Sequence, residues 1–169
     1  MANDKLGRPS KERKALLRGQ VSTLLWNGKI ETTLAKAKST ARIAEKIITL
    51  AINSYEDTLK VVKEVKGADG KKVKQEVLND GPKKLAARRK IMSYVYDLQE
   101  QRKEKESKET FKARIEGINH PLIEKIFNVY APKYAQRAKD KGNAGGYTRI
   151  TKLGARRGDA AEVAIVELI

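Results

Sequence analysis

The chain has 169 residues, 40% of them hydrophobic, and carries a formal net charge of +16 at pH 7. This length supports one hydrophobic core, so we expect a single compact domain with extensions. So large a positive charge attracts polyanions such as nucleic acid or acidic membrane surfaces, and phosphate is the partner chemistry it favours. The absence of cysteine excludes disulfides and thiolate metal sites and fits a cytoplasmic protein. No apolar run reaches the roughly 18 residues of a membrane span, and the first residues lack the apolar centre of a signal peptide, so we expect a soluble protein.

The first 14 residues are basic and have little apolar surface. They contain five lysines and arginines, with Leu6 as the main apolar side chain. A segment of this composition does not bury enough surface to fold alone. We therefore predict a basic extension over residues 1–14 that becomes ordered against a partner, followed by one domain over residues 15–169.

A first helix and a short strand are predicted after this extension. Ser10 is a good N-cap, apolar residues repeat behind it at helical intervals, and an Asn-Gly pair at residues 27–28 supplies a helix end. Residues 29–33, KIETT, alternate apolar and polar side chains as a short edge strand does.

A second helix is predicted from Leu34 to Ile52, where alanine and isoleucine give a wide apolar face. Another face carries a basic stripe of Lys38, Arg42 and Lys46. A lysine-rich helix face is usually just solvated, so the stripe alone favours function and solvation equally.

The middle of the chain predicts a hairpin, a third helix and a charged segment. Two valine-rich runs within residues 58–78 flank Gly67–Gly70, which favours a β-hairpin with a four-residue loop. Pro82 stands at a helix-opening position, and apolar residues repeat from there to Leu98. Residues 99–110 mix both charge signs without a large apolar group, so they form either a solvated helix extension or a linker, and we expect mobility.

The last part predicts one more helix and two strands. Pro121 opens a fourth apolar helical face, which Pro132 bends or divides. Residues 147–153 and 162–169 are β-like and should pair across the loop between them. The predicted fold class is therefore α+β, with about four helices packed on a small mixed sheet.

Catalytic and cofactor chemistry finds little support in the sequence. The only histidine, His120, precedes a helix-opening proline and suits a capping or packing role better than a catalytic triad. Neither the phosphate loop of nucleotide hydrolases nor the dinucleotide fingerprint is present. Glutamates among the lysines of residues 100–109 indicate a solvated face, and the Arg-Gly-Asp tripeptide at 157–159 is interpreted as a chance match. We predict no enzymatic activity, no cofactor and no metal site.

The positive charge is placed unevenly, which favours a nucleic-acid partner. The first fifty residues hold eleven lysines and arginines against four aspartates and glutamates. A disordered basic arm can follow grooves between RNA helices and contact phosphates, while fixed helix faces set the register. This pattern predicts an architectural binding mode.

The sequence GGYTR has two interpretations. Gly145 and Gly146 would let backbone amides approach a phosphate, Tyr147 would stack on a base or sugar, and Arg149 would clamp a phosphate. The arginine pair at 156–157 would provide further contacts of the same kind to phosphate. The alternative is an ordinary β-hairpin with Tyr147 in the core and the arginines in water.

Four separated blocks, in order, resemble the bacterial large-subunit ribosomal protein seventeen family. They are KLGRPSKERKALLR, KIETTLAKAKSTARIAEKIITLA, HPLIEKIF and GGYTRITKLGARRGDAAEVAIVELI. The resemblance covers residues 5–52 and roughly 82–169. Residues at about 55–81 and 99–118 look like surface insertions, and Glu12 stands where many members have histidine.

The resemblance implies an α+β, non-catalytic protein that binds and stabilises folded large-subunit ribosomal RNA and supports assembly and translation. It places the protein in the cytoplasm, within the ribosome, beside neighbouring large-subunit proteins near the peptide exit, with no homo-oligomer expected. The implied RNA ligands are Lys5, Arg8, Lys11, Arg13, Lys14, Arg18, Lys36, Lys38, Arg42, Arg137, Tyr147, Arg149, Arg156 and Arg157.

Two rival hypotheses belong to other classes. A nucleoid or transcription-associated protein would share the charge but bind duplex DNA about as well as structured RNA. An RNA-modifying enzyme would need a cofactor loop or a metal cluster, and the sequence offers neither.

Overall fold

A computed structural model of the chain describes residues 5–66 and 72–169. The helices are α1 (Ser10–Asn27), α2 (Leu34–Ile52), α3 (Pro82–Tyr94), α4 (Lys108–Ile115), α5 (Pro121–Lys125) and α6 (Ala131–Lys141), with a π-helical turn over Ile126–Tyr130. The strands are β1 (Lys29–Thr33), β2 (Thr58–Lys66), β3 (Lys72–Asp80), β4 (Thr148–Ala155) and β5 (Glu162–Leu168). The predicted α+β class is confirmed.

The main sheet has the strand order β1-β5-β4, with both pairs antiparallel. The prediction of a mixed sheet is therefore wrong. A short loop joins β4 to β5, which makes that pair antiparallel, and β1 runs against β5 from Lys29 opposite Glu167 to Thr33 opposite Val163. The predicted edge strand and C-terminal pairing are both confirmed.

Helix α2 packs across this sheet through small side chains. Ala37, Ala41 and Ala44 repeat on one face of the helix and are buried against Ala164 and Val166 of β5. Because alanine is short, the helix backbone comes close to the strand, and the opposite face keeps its charges in solvent.

A larger core lies between the helices. Its fully buried members come from α1, α2, α3, α5, the π-helical turn and α6, and include Leu25, Ile48, Ile91, Leu122 and Ile126. Tyr134 of α6 is the largest side chain buried in this core.

Helix α1 begins at Ser10, one residue earlier than predicted and inside the predicted extension of residues 1–14. Pro9 occupies the N-cap position, without a side-chain capping bond, and Ser10 is the first helical residue rather than the cap. Proline at this position costs no hydrogen bond, because the first amides of a helix have no partner inside it. Residues 10–14 are consequently helical.

Helix α3 ends at Tyr94, so the predicted helix to Leu98 is too long. The polypeptide leaves the helix because α1 offers other partners for its backbone. The Arg18 guanidinium donates to the carbonyl of Val95 at 2.8 Å, and the Ser22 hydroxyl accepts the Tyr96 amide at 2.8 Å. Val95 is still buried in the helical core.

The charged segment after α3 is not a helix extension. Residues 95–107 are irregular, and the unpredicted α4 begins behind Ser107, whose hydroxyl caps it by accepting the Thr110 amide. Arg114 binds the carboxylates of Glu100 and Glu106, which ties the segment to α4.

The helix that opens at Pro121 is not divided at Pro132, because the backbone stays helical at Tyr130 and Ala131, and the α-helical pattern is interrupted only by a π-helical turn before it. Pro132 has no amide hydrogen to donate within the helix, and the π-helical turn Ile126–Tyr130 directly precedes α6.

The predicted hairpin is present as the antiparallel pair β2–β3. Its base is closed where the Gly81 amide donates to the Asp57 carbonyl at 2.8 Å. The four-residue loop predicted at Gly67–Gly70 lies outside the described residues.

Candidate nucleic-acid interface

Nine of the fourteen predicted RNA ligands have exposed side chains: Lys5, Arg8, Lys11, Lys14, Lys38, Arg42, Arg149, Arg156 and Arg157. Four others, Arg13, Arg18, Lys36 and Arg137, are half-buried, and Tyr147 is buried. Eight of these nine cations fall on three surfaces, which lie at the N-terminal end of the described chain and α1, on α2, and at the tip of the β4–β5 hairpin. Arg149 lies outside them in β4, 3.6 Å from Glu167.

The first surface, the arm face, consists of Lys5, Arg8, Lys11 and Lys14. On an α-helix, positions 11 and 14 lie about 60° apart, so these two lysines share a face. Arg8 lies 3.5 Å from Glu12, an exposed pair that offsets little of the charge.

Arg18, one turn further along α1, is used inside the fold. Its guanidinium bonds the backbone at the end of α3 and lies 4.4 Å from the centre of the Tyr96 ring. We therefore assign Arg18 to the folded domain, where it orders the chain after α3.

The second surface, the α2 stripe, consists of Lys38, Arg42 and Lys46, all exposed. Arg42 and Lys46 also line a groove between α2 and α3 with a volume of about 900 Å³. Its other wall presents Lys90 and Tyr94, which the sequence analysis did not single out. Their spacing of four residues on a helix was the signal available in the sequence.

The third surface, the hairpin tip, spans residues 151–160, all of which are exposed. Leu153 is an extra residue in β4, because the pairing shifts between Lys152 and Gly154. Gly154 has φ +107°, which favours glycine. The bulge lies where the hairpin leaves the sheet-helix body.

The loop at the hairpin tip is folded by its own charges. Arg156 donates twice to Asp159, at 2.9 and 2.7 Å, and exchanges backbone hydrogen bonds with Ala160 and Ala161. The Arg156 hydrogen bond and the Ala161 amide lower the pKa of Asp159 to about 2. Arg156 is thereby held in place, and Arg157 carries the charge at the tip that this pair leaves uncompensated.

Lys36 and Arg156 are distant in sequence and meet at a small cleft. The cleft has a volume of about 300 Å³ and is also lined by Glu31, Thr32 and Thr33 at the junction of β1 and α2. The structure thus connects the start of α2 to the hairpin tip.

The predicted role of Tyr147 requires an exposed ring, and the ring is buried. Tyr147 is 5% exposed and packs against Tyr134, with ring centres 4.9 Å apart. The stacking prediction is therefore corrected in favour of the core interpretation, because residues 145–146 bring the chain back over α6 before β4 starts. Arg137 holds this connection by donating to the Gly145 carbonyl at 2.5 Å.

Within the described ranges, the side chains do not form an arrangement typical of a catalytic or metal site. His120 lies beside Asp97, 3.1 Å away, at the N-cap of α5. No cluster of three or more potential metal ligands occurs among residues 5–66 and 72–169. Within the same ranges, no helix is long and apolar enough to cross a membrane.

The fold and its surface define a class: a small, strongly basic α+β protein that presents exposed cations on three surfaces around a buried core. Comparison with known proteins makes this specific. The model of the family described as "Ribosomal protein L17" matches residues 16–169.

Curated relatives named "Large ribosomal subunit protein bL17" match along nearly their full length. The Lachnospira eligens protein is 40% identical over 98% of this chain and 97% of its own length. The Acetivibrio thermocellus protein is 35% identical over 99% of both chains, and a Clostridium botulinum protein is 39% identical over 98% and 96%.

The chain belongs to the ribosomal protein L17 family. This confirms the resemblance to the large-subunit ribosomal protein seventeen family and the expected class, a structural ribosomal protein rather than an enzyme. It also confirms the predicted location, in the cytoplasm as part of the ribosome.

Proposed function

We propose that this chain is a structural constituent of the large ribosomal subunit that binds folded large-subunit ribosomal RNA and stabilises it during assembly and translation. The relatives are named as large-subunit proteins. The observation that carries the RNA role is the hairpin tip, where ten consecutive exposed residues include Lys152, Arg156 and Arg157. A β-ribbon that leaves its core with cations at its end suits a groove lined by phosphates.

The arm face and the hairpin tip act as the main RNA contacts in this proposal. Residues 1–14 form a basic RNA-binding extension whose last turn is helical, and residues 15–169 form the domain that positions it. Lys38 and Arg42 add phosphate contacts along α2, and Lys36 adds one beside Arg156. Neutralising closely spaced phosphates lowers the repulsion that opposes compact RNA.

Neighbouring large-subunit proteins near the peptide exit are the protein partners that we propose, and the chain acts there as a single copy. The β2–β3 hairpin and the segment around α4 are the surface insertions of the domain. Both lie outside the closed core, so either can reach a neighbouring protein without disturbing the rest of the fold.

A charge-reversal experiment tests the RNA role. Replacing Lys11→Glu and Lys14→Glu together should sharply reduce co-sedimentation of the protein with ribosomes through a high-salt wash. The matched control, Lys103→Glu with Lys105→Glu, changes the net charge equally in the exposed segment before α4. Equal losses from the two variants would show that the effect is one of net charge and that the arm face is misplaced.

Binding to isolated nucleic acids distinguishes RNA from DNA. The purified protein should bind a large-subunit ribosomal RNA transcript more tightly than duplex DNA of equal length at the same salt concentration. Comparable affinities would favour a DNA-binding protein instead.

A further inference from the structure

The groove between α2 and α3 has features that the three cationic surfaces lack. Arg42 and Lys46 line one wall and Lys90 and Tyr94 the other, and Leu50 contributes apolar surface. Its volume of about 900 Å³ lies within the range of ligand-binding clefts. The groove therefore combines positive charge with an aromatic ring.

The charge of the groove is available to a ligand. Arg42, Lys46 and Lys90 are exposed, and none of them forms an ion pair with another residue of the described ranges. Glu45 also lines the groove, but its carboxylate accepts hydrogen bonds from the Thr148 amide and hydroxyl at 3.3 and 2.8 Å. Three cations thus face one carboxylate that is already bonded to β4.

The aromatic ring of the groove is also available. Tyr94 is 50% exposed and, within the part of the chain that the structure describes, its ring has no aromatic or cationic neighbour. Tyr96, two residues later, is covered by the Arg18 guanidinium. A base can therefore stack on Tyr94 without displacing a side chain.

We propose that this groove binds an unpaired segment of ribosomal RNA, with phosphates on Arg42, Lys46 and Lys90 and one base stacked on Tyr94. This inference rests on the proposed function, and it adds base stacking to the phosphate contacts that the proposed function already includes. A base inside a duplex keeps both faces stacked, so only an unpaired or bulged nucleotide uses the ring. An acidic peptide would satisfy the cations but leave the face of Tyr94 unused.

Photo-crosslinking in intact ribosomes tests the occupant of the groove. A photoreactive benzoylphenylalanine replaces Tyr94 in the full chain, and a control replaces Val129, which is 51% exposed in the π-helical turn and does not line the groove. Crosslinks at position 94 should map to unpaired ribosomal RNA nucleotides. Crosslinks to protein alone, or none, in ribosomes that contain the chain would overturn the groove assignment and leave the proposed function intact. Absence of the chain from ribosomes would overturn both.

Affinity measurements separate stacking from charge. With a ribosomal RNA transcript as the probe, Tyr94→Phe should bind like the unchanged chain, whereas Tyr94→Leu should bind roughly tenfold more weakly with an unchanged salt dependence. Lys46→Ala with Lys90→Ala should reduce the slope of log affinity against log salt by about 1.4, since each contact to a single strand contributes about 0.7.

The control for charge is Lys103→Ala with Lys105→Ala, which should leave the slope nearly unchanged. Thermal unfolding of each variant checks that the fold is intact, which the exposure of these side chains leads us to expect. Unchanged affinity of Tyr94→Leu would overturn the stacking contact, and an unchanged slope for the Lys46 and Lys90 variant would overturn the phosphate contacts.

Discussion

The Tyr130 hydroxyl donates a hydrogen bond of 2.9 Å to the backbone carbonyl of Leu25, and so joins the π-helical turn to the last turn of α1. Both groups are buried, so removing the hydroxyl leaves the carbonyl without this partner. Tyr134, one turn later, has a buried hydroxyl with no hydrogen-bond partner among the described residues.

The two tyrosines form a matched pair for a stability test. Tyr130→Phe should lower the free energy of unfolding by about 1 kcal/mol. Tyr134→Phe should leave it unchanged or raise it, because it removes a polar group whose burial is uncompensated. Urea denaturation of both variants measures the difference, and an equal loss from both would contradict the assignment.

Arg137 should contribute to stability more than to RNA affinity. Its guanidinium lies 5.1 and 5.2 Å from the ring centres of Tyr134 and Tyr147 and bonds the Gly145 carbonyl. Arg137→Ala should lower the free energy of unfolding by about 2 kcal/mol. Arg137→Lys should recover less than half of that, because lysine lacks the planar fork.

The control for Arg137 is Lys139→Ala on the exposed face of the same helix, which should change the free energy of unfolding by less than about 0.5 kcal/mol. An Arg137→Ala variant as stable as this control but defective in RNA binding would place Arg137 at the RNA.

Asp57 and Gly81 should show strong energetic coupling. The Asp57 carboxylate caps α3 by accepting the Lys83 amide at 2.8 Å and the Lys84 amide at 3.3 Å. A Cβ added at Gly81 would lie 2.4 Å from that carboxylate, so Gly81→Ala must displace the cap. We expect Gly81→Ala to cost about 1 kcal/mol alone and distinctly less in an Asp57→Ala background.

A double-mutant cycle by chemical denaturation measures this coupling. Additive losses would mean that the carboxylate moves aside without losing its bonds to the helix.

The Asp159 carboxyl should titrate at unusually low pH. Its pKa in the folded protein is lowered to about 2, chiefly by the Arg156 hydrogen bond and then by the Ala161 amide. A lowered pKa means that this contribution to stability is complete above the ordinary aspartate pKa of about 3.9 and is lost as the pH falls towards 2. Carboxyl NMR titration should show this midpoint, and Arg156→Ala should return it towards the ordinary value. A midpoint near 4 in the unchanged chain would exclude the bonded loop.

The sequence predicted best those elements in which the spacing of apolar residues is enough to show which face packs against the rest of the protein. The short side chains on the alanine face of α2 favour close packing against a flat surface, the alternation in β1 fits an edge strand, and the apolar run in β5 fits a buried strand. The helix boundaries set by tertiary bonds could not be predicted. The end of α3 depends on Arg18 and Ser22, which lie more than seventy residues away in sequence.

The sequence predicted those parts of the candidate site that depend on positive charge, and it did not predict the parts that depend on tertiary packing. The arm face and hairpin tip follow from composition and glycine, but Tyr147 has the same local sequence whether it faces solvent or the core. Its burial depends on Tyr134 and Arg137, which reach it only in the folded chain. Lys90 and Tyr94 were not predicted as site residues, because they form a groove only together with the facing residues of α2, which are far away in sequence.

The bond between Gly81 and Asp57 has a consequence for how this architecture tolerates change in length. The polypeptide departs from the body at Asp57 and rejoins it at Gly81, and the two backbones touch at that junction. From this junction β2 and β3 run outward as a two-stranded ribbon, so pairs of residues can be added to or removed from the far ends of the two strands without moving a helix. The length of the β2–β3 hairpin can therefore change while the helices and the main sheet keep their positions.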